Sequence, residues 1–201
     1  MSLSLSIREV VARARADLRM GAVVVVREGA AGAVVCAAEL VSDARLGDLR
    51  ALGGALDLAI TNRRADTLRA RSYDGDLARI AVPGDADAGW VRATADPSQD
   101  LKFPMKGPYR SRRDGPAGLH RAAIALCKQA RLLPSAVVLV ADDPAAGGAL
   151  AQESGLVVLD VADIQAAQAG PVVLEQVAAA RVPLAVSEAG RVLVFRPRDG
   201  A

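Results

Sequence analysis

Aromatic side chains are scarce: one Trp, two Tyr and two Phe occur in 201 residues, although 52% of the chain is hydrophobic. The core must therefore be filled by Ala, Val and Leu, with close contacts between elements. Cysteine is nearly absent as well. Cys36 and Cys127 stand far apart without CxxC spacing or a His-rich partner segment, which excludes a zinc site and a disulfide framework. Both are expected to be small buried hydrophobes in a reducing compartment. Charge of one sign is lacking, because 25 basic and 23 acidic side chains leave a net +2, too little for a general nucleic-acid field. No apolar run approaches the roughly 18 to 20 residues that span a bilayer. Arg8 and Glu9 also stand where a signal peptide would carry its apolar core. A cytoplasmic protein with neither membrane nor nucleic acid as partner is expected. Glycine-rich stretches such as Gly53-Gly54 precede no GK[ST] or GxGxxG pattern, so the usual nucleotide fingerprints are missing.

What is present reads as alternating helices and strands in one unit, large enough to bury a core without a staple. Ser6 and Glu9 have capping-box spacing, and Ile7, Val10, Val11, Ala14 and Leu18 recur on one helical face up to Gly21. Residues 23–26 and 33–38 are β-branched or apolar runs around a turn marked by Gly29 and Gly32. Ser42 caps a helix carrying Leu46, Leu49 and Leu52; strands follow at 56–61 and 77–82, with a short helix at 63–68 between them. Residues 90–93 read as a further strand. Residues 96–116, rich in proline and basic side chains, form an ordered but irregular surface segment. Leu119, Ala122, Ala123, Leu126, Cys127 and Ala130 make a helical stripe that leads into a strand at 136–141. Beyond it, Asp142 and Asp143 cap a helix at 145–153, a strand covers 156–161, and helices cover 164–169 and 172–181. Residues 184–186 and 191–195 flank a hairpin turn, and 196–201 form a polar tail or junction. The pattern predicts an α/β or mixed layered domain spanning residues 1–201.

Three sets of side chains could carry chemistry. Lys102, Lys106, Arg110, Arg112 and Arg113 form the strongest local charge feature, suited to a phosphorylated metabolite but equally the composition of a solvated face, which is preferred. His120, the sole histidine, has Arg121 beside it and falls off the apolar stripe, so it is expected to be exposed and structural rather than a base or ligand. Glu28 and Glu39 could point from adjacent strand ends into one pocket as paired carboxylates for proton transfer or magnesium, but a structural role for each is preferred.

Several blocks stand in the order found in 3,4-dihydroxy-2-butanone 4-phosphate synthase, a riboflavin-pathway enzyme. They are AAEL at 37–40, LAITNRRADTL at 58–68, LKFPMKG at 101–107 and GLHRAAIALCKQARLLPSAVVLV at 118–140. The chain resembles that family over roughly its first 160 residues. The resemblance implies a three-layer α/β sandwich with a mixed sheet. It also implies a homodimer that converts ribulose 5-phosphate to dihydroxybutanone phosphate and formate, with magnesium held by an acidic-loop glutamate and a helix-opening histidine. The comparison turns negative at those residues. The Glu-Asn-Glu-Gly-Asp loop corresponds to residues 27–33, where Glu28 is the one acidic residue, and the family's His-Thr-Glu becomes Leu119-His120-Arg121. A one-residue shift turns a side chain about 100° around a helix. The family's serine- and arginine-containing phosphate segment has no counterpart between residues 81 and 96.

Such a degenerate synthase-like half resembles the N-terminal region of some bacterial GTP cyclohydrolase II proteins. That second activity needs three zinc-binding cysteines, so this chain is not expected to hydrolyse GTP by itself. The expected function is non-catalytic, in dimerisation or support of a cyclohydrolase domain, with no cofactor. The competing expectations are a divergent synthase, with magnesium on Glu28 or Glu39 and His120 assisting proton transfer, and a phosphate or nucleotide sensor built on residues 102–113.

Overall fold

The computed structural model describes residues 4–141, 154–169 and 174–197. The chain divides into two compact units, Met1–Gln168 and Ala169–Ala201. The strands of the first are β1 (Val24–Glu28), β2 (Ala31–Ala37), β3 (Ala55–Thr61), β4 (Leu77–Ala81), β5 (Ser135–Val140) and β6 (Val158–Asp160). Its helices are α1 (Ile7–Arg19), α2 (Asp43–Ala51), α3 (Asn62–Leu68), α4 (Ala88–Ala95), α5 (Gly118–Gln129) and α6 (Val161–Ala169). The strands form one mixed sheet in the order β4-β3-β5-β2-β1-β6, in which only the β1–β6 pairing is parallel.

Period-two alternation sorts the sheet's side chains into two cores. Val24, Val26, Ala33, Val35, Ala136 and Val138 pack with α1, α5 and α6 on one face. Val25, Val34, Cys36, Leu58, Ile60, Val137 and Leu139 pack with α2, α3 and α4 on the other. Strands covered on both faces read as continuous apolar runs, as AVVCA in β2 and AVVLV in β5 do. The three-layer sandwich expected from the sequence is thereby present, and its small residues let the layers approach closely.

The helix starts follow local chemistry. The Ser6 side chain accepts from Glu9 N while Glu9 Oε2 accepts from Ser6 N at 2.7 Å, closing the capping box of α1. Ser42 accepts from Arg45 N at 3.2 Å and Thr61 from Arg64 N at 3.3 Å, single side-chain caps that start α2 and α3. Residues 90–93 are helical, not a strand: Asp87 accepts from Trp90 N at 2.6 Å, and this cap starts α4 despite the β-favouring Trp90-Val91 pair. The β1–β2 turn is Gly29-Ala30, with Gly29 at positive φ; Gly32 lies within β2 opposite Arg27. The helix expected at 145–153 and its caps Asp142 and Asp143 lie outside the described residues.

The irregular segment 96–116 is ordered by charge. Arg64, nearly buried on α3, donates to Thr94 O at 2.8 Å and to both oxygens of Asp100 at 2.6 and 2.7 Å. Lys106 joins the same carboxylate and donates to Ala93 O at 2.9 Å. Further along, Ala81 N donates to Arg110 O and Arg112 N to Arg79 O, both at 2.8 Å, so residues 110–112 cover the outer edge of β4.

The second unit is a two-stranded antiparallel hairpin, β7 (Leu174–Arg181) with β8 (Arg191–Pro197). The helix expected at 172–181 is therefore a strand over its described part. Ala178, Ala179 and Ala180 favour a helix locally, but they lie opposite Val194, Leu193 and Val192, and cross-strand pairing overrides propensity. The expected strand 184–186 shrinks to one bridge, Leu184 to Ser187, within the connection. Arg196 and Pro197 belong to β8 rather than to a tail.

Two outcomes are expected. Arg64 and Lys106 hold the Asp100 carboxyl below its ordinary value, so its contribution is complete above a pH of about 4 and is lost as the pH falls toward the depressed folded value. Asp100→Asn should destabilise the protein by about 3 kcal/mol at neutral pH. It should also make stability less sensitive to acid, as read from denaturant unfolding at several pH values. Burial pushes the Cys36 thiol up to about 11 and raises Cys127 as well, so neither should react with a thiol reagent at neutral pH until the protein is unfolded.

Candidate functional site

Asp57 interrupts the apolar strand β3 and is 1% exposed on the face covered by α5. An ionised carboxylate at such a position must be paired. Its Oδ1 accepts from Arg112 Nε, and its Oδ2 lies 3.2 Å from His120 Nε2. An ionised carboxylate only accepts, so His120 carries its proton on Nε2 and donates. His120 Nδ1 is buried without a hydrogen-bond partner. The cluster joins β3, α5 and the segment beside β4 through one buried carboxylate.

His120 is therefore buried at 2%, which corrects the expectation of an exposed histidine. The reason is the width of the α5 stripe. Ala123, Ile124 and Cys127, three, four and seven residues on, are all buried, so His120 belongs to the core face as surely as Leu119. Arg121 turns outward and grips Asp76 through Nε at 2.6 Å and Nη2 at 2.7 Å.

The two glutamates do not meet. Glu28 closes β1 and lies against the first turn of α5, so close that a Cβ on Gly118 would collide with its carboxylate. That turn has no side-chain cap, and a carboxylate beside it is electrostatically favourable. Glu39 lies past the other end of β2, where its Oε2 accepts from Leu133 N at 2.7 Å. The length of β2, about 20 Å, separates the two ends. A cleft of about 210 Å³ near the Glu39 end is lined by Thr61, Arg63, Arg64, Leu133, Pro134 and Ser135 among others, and by none of the candidates named from sequence.

Four of the five cations have partners of their own. Lys106 is bound to Asp100 and Arg112 to Asp57. Lys102 lies over the Phe103 ring and Arg113 over the Tyr73 ring, each at 5.2 Å from the centroid. Arg110 contributes its carbonyl to the β4 edge.

Magnesium prefers an octahedron of oxygen ligands. Glu28 offers one carboxylate, position 119 is a buried leucine, and His120 Nε2 is engaged by Asp57, so the donors present do not fit that ion. Among the described residues, no group of three or more His, Cys, Asp and Glu side chains is placed to hold a metal. Sequence reasoning missed Asp57, Arg64, Arg79 and Asp100. The available signal was a charge inside an apolar strand: Asp57 in ALDLAI and Arg79 in LARIA each demand a buried partner. Arg79 finds Asp74 at 2.8 Å and the carbonyls of Asp114 and Gly115.

These layers define a protein with the 3,4-dihydroxy-2-butanone 4-phosphate synthase fold. A two-domain synthase from A. baumannii superposes with a TM-score of 0.60 at 17% identity, covering 96% of this chain and 66% of its own. The Candida albicans synthase gives 0.58 at 18%, covering 79% and 96%. A synthase solved with two magnesium ions gives 0.56 at 19%, covering 81% and 96%. No protein-family model matches the chain. In sequence the chain is similar to GTP cyclohydrolase-2 of Azospirillum brasilense, 33% identical over 192 residues that make up 94% of this chain and 50% of that protein. The chain thus has a synthase-like fold and spans about half the length of the cyclohydrolase relative it matches.

Asp57→Ala should cost about 3 to 5 kcal/mol in urea unfolding, because it strands Arg112 and leaves His120 with no partner at either nitrogen. His120→Leu should cost clearly less, since it also removes the unpaired Nδ1.

Proposed function

We propose that this chain is a non-catalytic synthase-fold domain of riboflavin biosynthesis that supports a GTP cyclohydrolase II catalytic domain by stabilising, positioning or dimerising it. The observation that carries this reading is the state of the one imidazole. His120 is turned into the core and engaged by Asp57, while Glu28, the last residue of β1, lies against Gly118. The synthase resemblance implies magnesium for sugar-phosphate rearrangement, and His120 Nε2, engaged by Asp57, with the lone Glu28 carboxylate makes a poor donor set for it. The cyclohydrolase relative supplies the direction of the support. Self-association and a cytoplasmic location belong to the same reading.

Incubation with ribulose 5-phosphate and magnesium should release no formate above the enzyme-free rate, while an active synthase in parallel releases it. Formate release that Glu28→Gln or His120→Ala abolishes would replace this reading with that of a divergent synthase.

A further inference from the structure

The second unit poses a packing problem that its own residues do not solve. Every residue of β7, and every residue of β8 before Pro197, is exposed. In β8 the run Val192-Leu193-Val194-Phe195 places Val192 and Val194 on one face and Leu193 and Phe195 on the other, each 44–49% exposed. Leu174 and Val177 on β7 are more exposed still. A strand apolar on both faces is one that its domain covers on both faces. An isolated two-stranded hairpin is at best marginally stable in water.

The proteins that share the hairpin point to what covers it. The cyclohydrolase match leaves about 12 of the 201 residues unmatched, fewer than the 24 from 174 to 197, so that longer relative contains at least part of the hairpin. The two-domain synthase leaves about 8 of this chain's residues uncovered. The synthases that are themselves covered at 94–96% leave 19–23% of it uncovered, which is enough to contain all of Ala169–Ala201. The segment that forms the hairpin is thus matched at least in part by the two longer proteins, and the synthase-only structures leave uncovered a share of the chain long enough to hold it.

We propose that β7–β8 is the docking element for a cyclohydrolase-type domain, which covers both of its faces and adds strands to its open edges. This rests on the support role proposed above and names the surface that performs it. The ends of the patch are charged, with Glu175 opposite Arg196 and Arg181 opposite Arg191, so an apolar centre is framed by a polar rim.

Hydrogen exchange on this whole chain and on the intact Azospirillum brasilense enzyme tests the assignment. In this chain amides 174–197 should exchange near the unstructured rate while β3 and β5 stay protected, and in the intact relative the matching peptides should be slower by at least about 100-fold. Val194→Asp with Phe195→Asp should leave the melting of the first unit unchanged here. The aligned double change in the relative should lower GTP turnover at least about ten-fold with loss of hairpin protection. Equal, fast exchange in both proteins would overturn the docking assignment and leave the support role standing. So would protection in this chain that rises with its own concentration, which would make a second copy the cover. Formate release with a protected hairpin in the relative would do the reverse.

Discussion

The carboxylate of Asp57 is the constraint around which the first unit is arranged. Removing an ion from water costs several kcal/mol, and at 1% exposure Asp57 recovers this only through close, simultaneous partners. Arg112 and His120 supply them from elements remote in sequence, so one buried charge fixes the segment along β4, the inward face of α5 and their distance from β3. The same device recurs where Arg64 and Lys106 meet Asp100 and where Arg79 meets Asp74. With so few aromatic rings to lock side chains together, charge-assisted hydrogen bonds hold the long segment between α4 and α5 in place. Lys106 and Arg112, two of the five cations between residues 102 and 113, serve that purpose.

Much of the fold was legible because its signals are local. Ser6 and Glu9 announced the start of α1, the apolar runs of β2 and β5 announced strands covered on both sides, and the α5 stripe was readable at its centre. Where non-local partners decide, the reading failed. The alanines of β7 look like a helix until β8 stands opposite, whereas at Trp90 and Val91 β propensity masked a local signal, the Asp87 cap three residues before Trp90. The site was least legible. Pairing of His120 with Asp57 spans 63 positions and leaves no periodic trace, although a lone Asp among leucines was a clue that a partner must exist.

The two units differ in how completely their apolar surface is used. In the first, core residues of both sheet faces fall near zero exposure; in the second, Phe195 and its neighbours keep nearly half their surface open. Burial at about 25 cal/mol per Å² stabilises a sandwich with two cores but has little to act on in a bare hairpin. The first unit thus turns its one histidine into the core, while the hairpin leaves an apolar ribbon exposed.

His120 is the chain's single histidine, so its imidazole is directly observable. Imidazole nitrogen and carbon resonances of His120 should show the Nε2–H tautomer and should not shift as magnesium is added to saturating concentration. A saturable magnesium-dependent shift, lost in Glu28→Gln, would place His120 in a metal site and contradict the account.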